Sequence, residues 1–324
     1  MIEVLHAGML SSLQDHGRIG HAHLGIGRSG AADRPARMLA NALVGNDDAA
    51  CVIEATLVGP RLRIRQAAWI ALTGAPLPRA CLDGRPLPMW RPVRCAAGAE
   101  IDLGPMPSGC RSYLAVEGGI AAESWLGSRS SDLNAGLGPL QGRALRAGDV
   151  LPLGKPERAP AYAGHWSLDP APWFDASVGA PLRLMPASHT DRLEPASRDA
   201  LGGAAVFRVD ADSNRVGVRM QGPAPLRLDE PRQLLSEGLV AGSMQLPPGG
   251  QPILMLAEHP VTGGYPRIAQ LAEVDLPRLA QLRPGDTTRF EWIETDTARD
   301  AWQARERELL QICTMIRTRL EHGT

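Results

Sequence analysis

Apolar residues along this chain come in short runs rather than in long periodic stretches. "RLRIRQ" (61–66), "AWIALTG" (68–74), "SYLAV" (112–116), "PILMLA" (252–257) and "TTRFEWIE" (287–294) are separated by segments rich in Gly, Pro and Asp. Runs of that length, enriched in β-branched and aromatic residues, predict strands. With 35 glycines and 28 prolines as punctuation, the pattern points to β-barrels or sandwiches rather than to alternating strands and helices. Two helices stand out against it. In "DRPARMLANALVGN" Asp33 suits an N-cap, Pro35 the first turn and Gly45 the end. Over the last thirty residues Trp302, Leu309, Cys313, Ile316 and Leu320 recur at helical spacing, so one face of that helix must cover something. The Pro- and Ala-rich stretch "GKPERAPAYAGHWSLDPAPW" (154–173) has no periodicity and reads as a domain boundary.

Length then sets the organisation. At 324 residues the chain exceeds what one core usually organises, and about two domains are expected. The division read from the sequence is 1–165, 166–293 and a terminal helix over 294–324. A formal charge of −1 and no basic stripe give no reason to expect nucleic acid or an anionic membrane as partner. "MIEVLHAGML" lacks a basic start followed by an apolar core, and no 18-residue apolar run follows, so the expected location is cytoplasmic. Five cysteines without a C-x-x-C pair favour neither a zinc site nor a disulfide framework, and no metal is expected.

Lys155 is the one lysine in the chain. A P-loop needs Ser or Thr after its lysine, and Pro156 stands there, so the chain carries no P-loop. Lys155 lies in a turn-like setting rather than in a Met-Lys-Met hairpin tip, so the chain does not carry biotin covalently. H-E-x-x-H and G-x-S-x-G are also absent. Polar and glycine detail concentrates elsewhere. "SSLQDHGRIGHAHLGIGRSGAAD" (11–33) sets Gln14, Asp15 and Arg18 among five glycines, as a ligand loop or a hairpin connection would. Glu54 lies inside an apolar run, where a carboxylate needs a partner. It reads as a buried cap of backbone N–H groups or as a general base. Arg129, Ser130, Ser131 and Arg143 occupy another glycine-rich segment, suited to an anion or to surface turns.

The second half holds three denser blocks: "DSNRVGVRMQGP" (212–223), "LLSEGLVAGSMQLPPGGQPILMLAEHPVTGGYPRI" (234–268) and "LAQLRPGDTTRF" (279–290). With "SLQDHGRIGHAHLG", "SGAADRPARMLANALVGN", "IEATLVGP", "YLAVEGGI" and "LGSRSSD" in the same order, they resemble the family variously called biotin-dependent carboxyltransferase-like, allophanate hydrolase subunit 2 or KipI antagonist, which includes the C subunit of bacterial 5-oxoprolinase. The resemblance runs to about Glu291. Asn214 departs from it where aspartate is usual, as do Val216, Val218 and Ala32, so no acid–base role is expected of Asn214.

The resemblance implies a mainly β fold of two cyclophilin-like β-barrel domains with few helices and a C-terminal helix. It implies work beside a KipI-like partner and a LamB/YcsF-like partner, opening the lactam of 5-oxo-L-proline with ATP used at the level of the complex. Carboxyl transfer within a urea carboxylase and KipI-antagonist-type regulation are the alternatives. For lactam opening, Tyr265, Arg215 and Glu54 are the candidate catalytic groups. Gln14, Asp15, Arg18, Arg219, Ser236, Glu237, Gln245, Thr262, Gly263 and Gly264 are candidates for binding substrate. Arg215, Arg219, Gln245, Thr262 and Tyr265 are expected to meet at the mouth of the second barrel.

Overall fold

The two faces of one sheet explain the first half of the chain. The structure is a computed structural model describing residues 1–156, 166–174, 180–229 and 234–322. It divides into two compact units that are discontinuous in sequence. One comprises residues 1–19, 29–175 and 308–324, the other 20–28 and 176–307. Within the expected linker, residues 157–165 lie outside the described ones.

In the first unit a five-stranded antiparallel sheet runs in the order Leu10–Gln14, Val52–Thr56, Arg111–Val116, Ala68–Gly74, Val93–Cys95. A six-stranded sheet includes Ile2–His6, Arg61–Ile64 and Glu100–Asp102. Because side chains alternate along a strand, Leu13, Ile53, Ile70, Leu72, Leu114 and Val116 turn to one face. There they pack with Ile2, Val4, Leu62, Ile64 and Ile101 of the larger sheet. Their neighbours Val52, Ala71, Tyr113 and Ala115 belong to a second cluster on the opposite face, with helix α1 (Arg34–Leu43). Arg111–Val116 is buried at all six positions because both of its faces are covered.

Helix α1 begins as its sequence predicts. The Asp33 side chain accepts from the Ala36 N–H at 3.0 Å, Pro35 lies in the first turn, and Gly45 follows the end at φ +71°. Pro35 through Leu43 are all buried, which requires a cover on the helix's outer side. The 28-residue terminal helix (Thr295–His322) provides it. Its Leu309, Cys313, Ile316 and Leu320 join the cluster around α1, while Trp302 is half-buried. Arg319 stacks over Trp166 at 5.0 Å.

The second unit holds an eight-stranded sheet in the order Thr287–Thr288, Phe207–Val209, Gly217–Gln221, Ile253–Met255, Ser243–Gln245, Arg267–Leu271, Leu182–Met185, Phe290–Trp292. Its first and last strands are two halves of one stretch, 287–292, with Arg289 between them. The sheet therefore curls round until its edges meet, giving a barrel-like form without a free edge there. Phe207 and Phe290 meet edge to face inside it, ring centroids 5.1 Å apart. Beside the barrel, Glu237–Gly238 pairs with Thr262–Gly263 as a short antiparallel ribbon. The architecture is thus mainly β, with four α-helices among the described residues.

Candidate functional site

The ribbon gathers most of the candidates from the second half. In its register Glu237 lies opposite Gly263 and Gly238 opposite Thr262. Gln245 ends the strand Ser243–Gln245 at an irregularity in its pairing with Ala269 and Arg267. It is buried, and its Nε2 donates to the Tyr265 carbonyl at 3.2 Å. A Cβ on Gly263 would stand 2.5 Å from that Nε2 and 2.7 Å from Leu239 Cδ1, so the first glycine of "TGGYP" is needed for packing against Gln245. Gly264 is exposed, and a Cβ there would meet Ser236 Oγ and the Leu234 carbonyl at 3.7 Å, an ordinary distance. Ser236 and Thr262 are exposed too, and the Tyr265 side chain is 49% exposed rather than packed over the barrel end.

A histidine absent from the sequence-based candidates completes the group. His189 Nδ1 accepts the Arg267 backbone N–H at 3.1 Å, and the His189 N–H donates to the Arg267 carbonyl at 3.0 Å. The neutral ring thereby carries its proton on Nε2. That Nε2 lies 3.5 Å from Glu237 Oε1, while Ser188 Oγ donates to Glu237 Oε2 at 3.0 Å. Arg267 Nη1 donates to the Gly238 carbonyl at 3.2 Å, tying the same ribbon. Nothing in "PASHTDR" marks His189, whose partners are 48 and 78 positions away in sequence.

Arg215 and Arg219 do not join this group. Arg215 Nε donates to Glu258 Oε1 at 2.6 Å, with both side chains at 3% exposure or less. It is therefore a buried, ion-paired charge rather than an exposed one. Arg219 projects to solvent from the barrel wall at an exposed position of Gly217–Gln221. Asn214 Oδ1 accepts the Val216 N–H at 2.8 Å. An aspartate would make the same turn, so the departure at Asn214 preserves the local backbone. Burial lowers the His259 pKa, with Arg28 acting in the same direction, although the hydrogen bond to the Pro260 carbonyl opposes both.

The candidates of the first unit are interior. Gln14, Asp15 and Arg18 are each at most 1% exposed. Asp15 accepts hydrogen bonds from the Ser128 and Ser130 hydroxyls at 2.6 Å, the Gly17 N–H at 2.8 Å and the Arg129 N–H at 2.5 Å. Burial pushes the Asp15 carboxyl up, but these four donors outweigh it and hold the group below the usual carboxylate range. Arg18 Nη2 donates to the Ser130 carbonyl, with the guanidinium over Trp125 at 5.2 Å. Gln14 Nε2 donates to the Ser131 carbonyl at 3.0 Å. The "QDHGR" and "GSRSSD" segments are thus bound to each other by a buried polar network.

Glu54 has the capping geometry. Its Oε2 accepts the Ala32 N–H at 2.9 Å and the Tyr113 hydroxyl at 2.8 Å, and Arg111 Nε stands 3.7 Å from Oε1. Tyr113 in turn accepts the Asp33 N–H at 2.8 Å. Burial, then the charges of Glu54 and Asp33, push the Tyr113 pKa well up, keeping its hydroxyl protonated as a donor. This network fixes the entry to α1 and engages Glu54 away from solvent, the geometry of the buried cap considered from sequence. Among the described residues no group of three or more His, Cys, Asp or Glu is placed to hold a metal ion.

The co-ordered glycine-rich blocks, now seen to build a covered sheet and a barrel, match a family profile described as "Carboxyltransferase domain, subdomain A and B" over residues 24–292. The chain belongs to this family. Among carboxyltransferase-domain relatives, it is 38% identical over 312 residues to the C subunit of 5-oxoprolinase from Escherichia coli (strain K12), covering 96% of this chain and 97% of that protein. It is 33% identical to the protein of the same name from Haemophilus influenzae, covering 98% and 99%. The crystal structure of Kluyveromyces lactis urea carboxylase superposes with a TM-score of 0.86 at 28% identity over 95% of this chain. The carboxyltransferase-domain chain spans 29% of that longer protein.

Proposed function

We propose that this chain is the C subunit of a 5-oxoprolinase, hydrolysing 5-oxo-L-proline to L-glutamate with ATP beside a KipI-like partner and a LamB/YcsF-like partner. The observation that carries the reading is the end-to-end match to proteins named as the C subunit of 5-oxoprolinase, which covers 97% and 99% of their lengths. The urea carboxylase match instead leaves most of that protein without a counterpart in this chain. The fold likeness at a TM-score of 0.86 supports a second reading, a carboxyltransferase component served by biotin on another chain.

The chemistry fits a protein that needs partners. A five-membered lactam is a poor electrophile, and phosphorylation of its oxygen makes attack by water feasible. The exposed Lys155 is followed by Pro156 and lacks the P-loop hydroxyl, so ATP is assigned to the assembled complex and no step is routed through it here. What the chain offers is a half-exposed carboxylate, Glu237, beside the accessible Gly264 and Tyr265. All five cysteines are free, which suits a reducing cytoplasm. The reading is tested by expressing the chain in E. coli lacking its own C subunit of 5-oxoprolinase. Restored consumption of 5-oxoproline is expected. Continued accumulation, with the chain present at normal levels and associated with the host's other 5-oxoprolinase proteins, would refute it.

A further inference from the structure

We propose that Ser188 and His189 hold Glu237 as the hydrogen-bond acceptor for the lactam N–H of the substrate, so that this carboxylate reads the amide hydrogen beside the reacting carbonyl. The inference rests on the functional reading above and names the group that recognises its substrate class. Glu237 has the geometry of a pre-aimed acceptor. Ser188 Oγ fixes Oε2 at 3.0 Å, and His189 Nε2 faces Oε1 at 3.5 Å. A carboxylate offers about four acceptor positions, so two fixed contacts leave capacity for a donor from a ligand. The side chain is 40% exposed, and the backbone opposite it in the ribbon is Gly263, followed by the exposed Gly264.

His189 is suited to positioning rather than to chemistry. It is 5% exposed, and both its backbone N–H and its Nδ1 are engaged with Arg267. The ring cannot turn without giving up the Arg267 N–H, so Nε2 is kept on the Glu237 side. Orientation of this kind matters because an acceptor built for N–H discriminates strongly against an analogue that lacks it. The lactam N–H and the N–H groups of urea share this feature, which gives one acceptor a use on either substrate.

The test is steady-state turnover of 5-oxo-L-proline by the complex reconstituted with the KipI-like and LamB/YcsF-like proteins. The lactone analogue, 5-oxotetrahydrofuran-2-carboxylate, which lacks the N–H, serves as competitive inhibitor. Glu237→Gln keeps one amide oxygen but removes the charge, and should raise the KM for the lactam by about 10-fold, the gap between a charge-assisted and a neutral hydrogen bond. The lactone inhibition constant should stay within about 3-fold, narrowing the lactam-over-lactone preference. His189→Asn keeps an acceptor near Nδ1 but loses the group facing Glu237, and should raise KM in the same direction. His189→Gln reaches toward Glu237 and should recover part of the loss. The double variant His189→Asn/Glu237→Gln should be no worse than Glu237→Gln alone. An unchanged KM in Glu237→Gln, or equal losses for lactam and lactone, overturns the inference while leaving the functional reading intact. So do His189 variants whose KM changes only in step with a lowered melting temperature. A wild-type complex that releases no glutamate overturns both.

Discussion

Arg215→Ala separates a structural arginine from a ligand-binding one. The Arg215 and Glu258 side chains are 3% and 2% exposed, their charged atoms 2.6 Å apart, and the Glu258 N–H donates to the Arg215 carbonyl at 2.8 Å. Truncating the arginine leaves a carboxylate buried without this guanidinium and held in place by its own backbone. Breaking such a pair costs about 3–5 kcal/mol. For a cooperative unit of this size each kcal/mol lowers the melting temperature by roughly 2–4 °C, so a fall of about 6–20 °C is expected. The double variant Arg215→Met/Glu258→Leu removes both charges and keeps the volume, and should regain most of the loss. Thermal unfolding of the isolated chain, followed by circular dichroism and repeated in urea, measures both. A melting temperature for Arg215→Ala within about 2 °C of wild type, with turnover abolished in the complex, would refute the structural assignment and return Arg215 to a ligand.

The terminal helix should be essential to the first unit: Leu309 is 1% exposed, so Leu309→Ala should cost about 2–5 kcal/mol in urea denaturation, and Leu309→Asp more. Asp15 should give a signature in acid. Its carboxyl is held below its ordinary value of 3.8 by four hydrogen bonds that outweigh burial. Its stabilisation is therefore full at neutral pH and is lost as pH falls through the lower folded-state value. Unfolding free energies at pH 7 and near pH 3 should show Asp15→Asn well below wild type at the first and closer to it at the second.

Local signals carried far in this sequence. The start and end of α1 were readable because Asp33, Pro35 and Gly45 act on their own backbone, and the terminal helix because Leu309, Cys313, Ile316 and Leu320 share one face. The strand runs were legible for the same reason. What stayed hidden depends on partners distant in sequence. "DSNRVGVR" reads alike whether Arg215 meets a ligand or, as found, Glu258 43 positions on. Glu54 in an apolar run signalled a buried partner, but only the fold supplies Tyr113 and the Ala32 N–H. His189 enters the site through Arg267 and Glu237, neither of them near it in the chain. The assignment of residues 20–28 to the second unit, between two segments of the first, leaves no periodicity or composition shift to read.

The most direct test of the account is glutamate release from 5-oxo-L-proline and ATP by the purified chain, by the KipI-like and LamB/YcsF-like proteins together, and by all three. Stoichiometric glutamate, ADP and phosphate from the three-protein mixture alone is the predicted result. Steady release by the single chain, full activity without it, or turnover of urea with a biotinylated partner in place of 5-oxoproline would contradict the account.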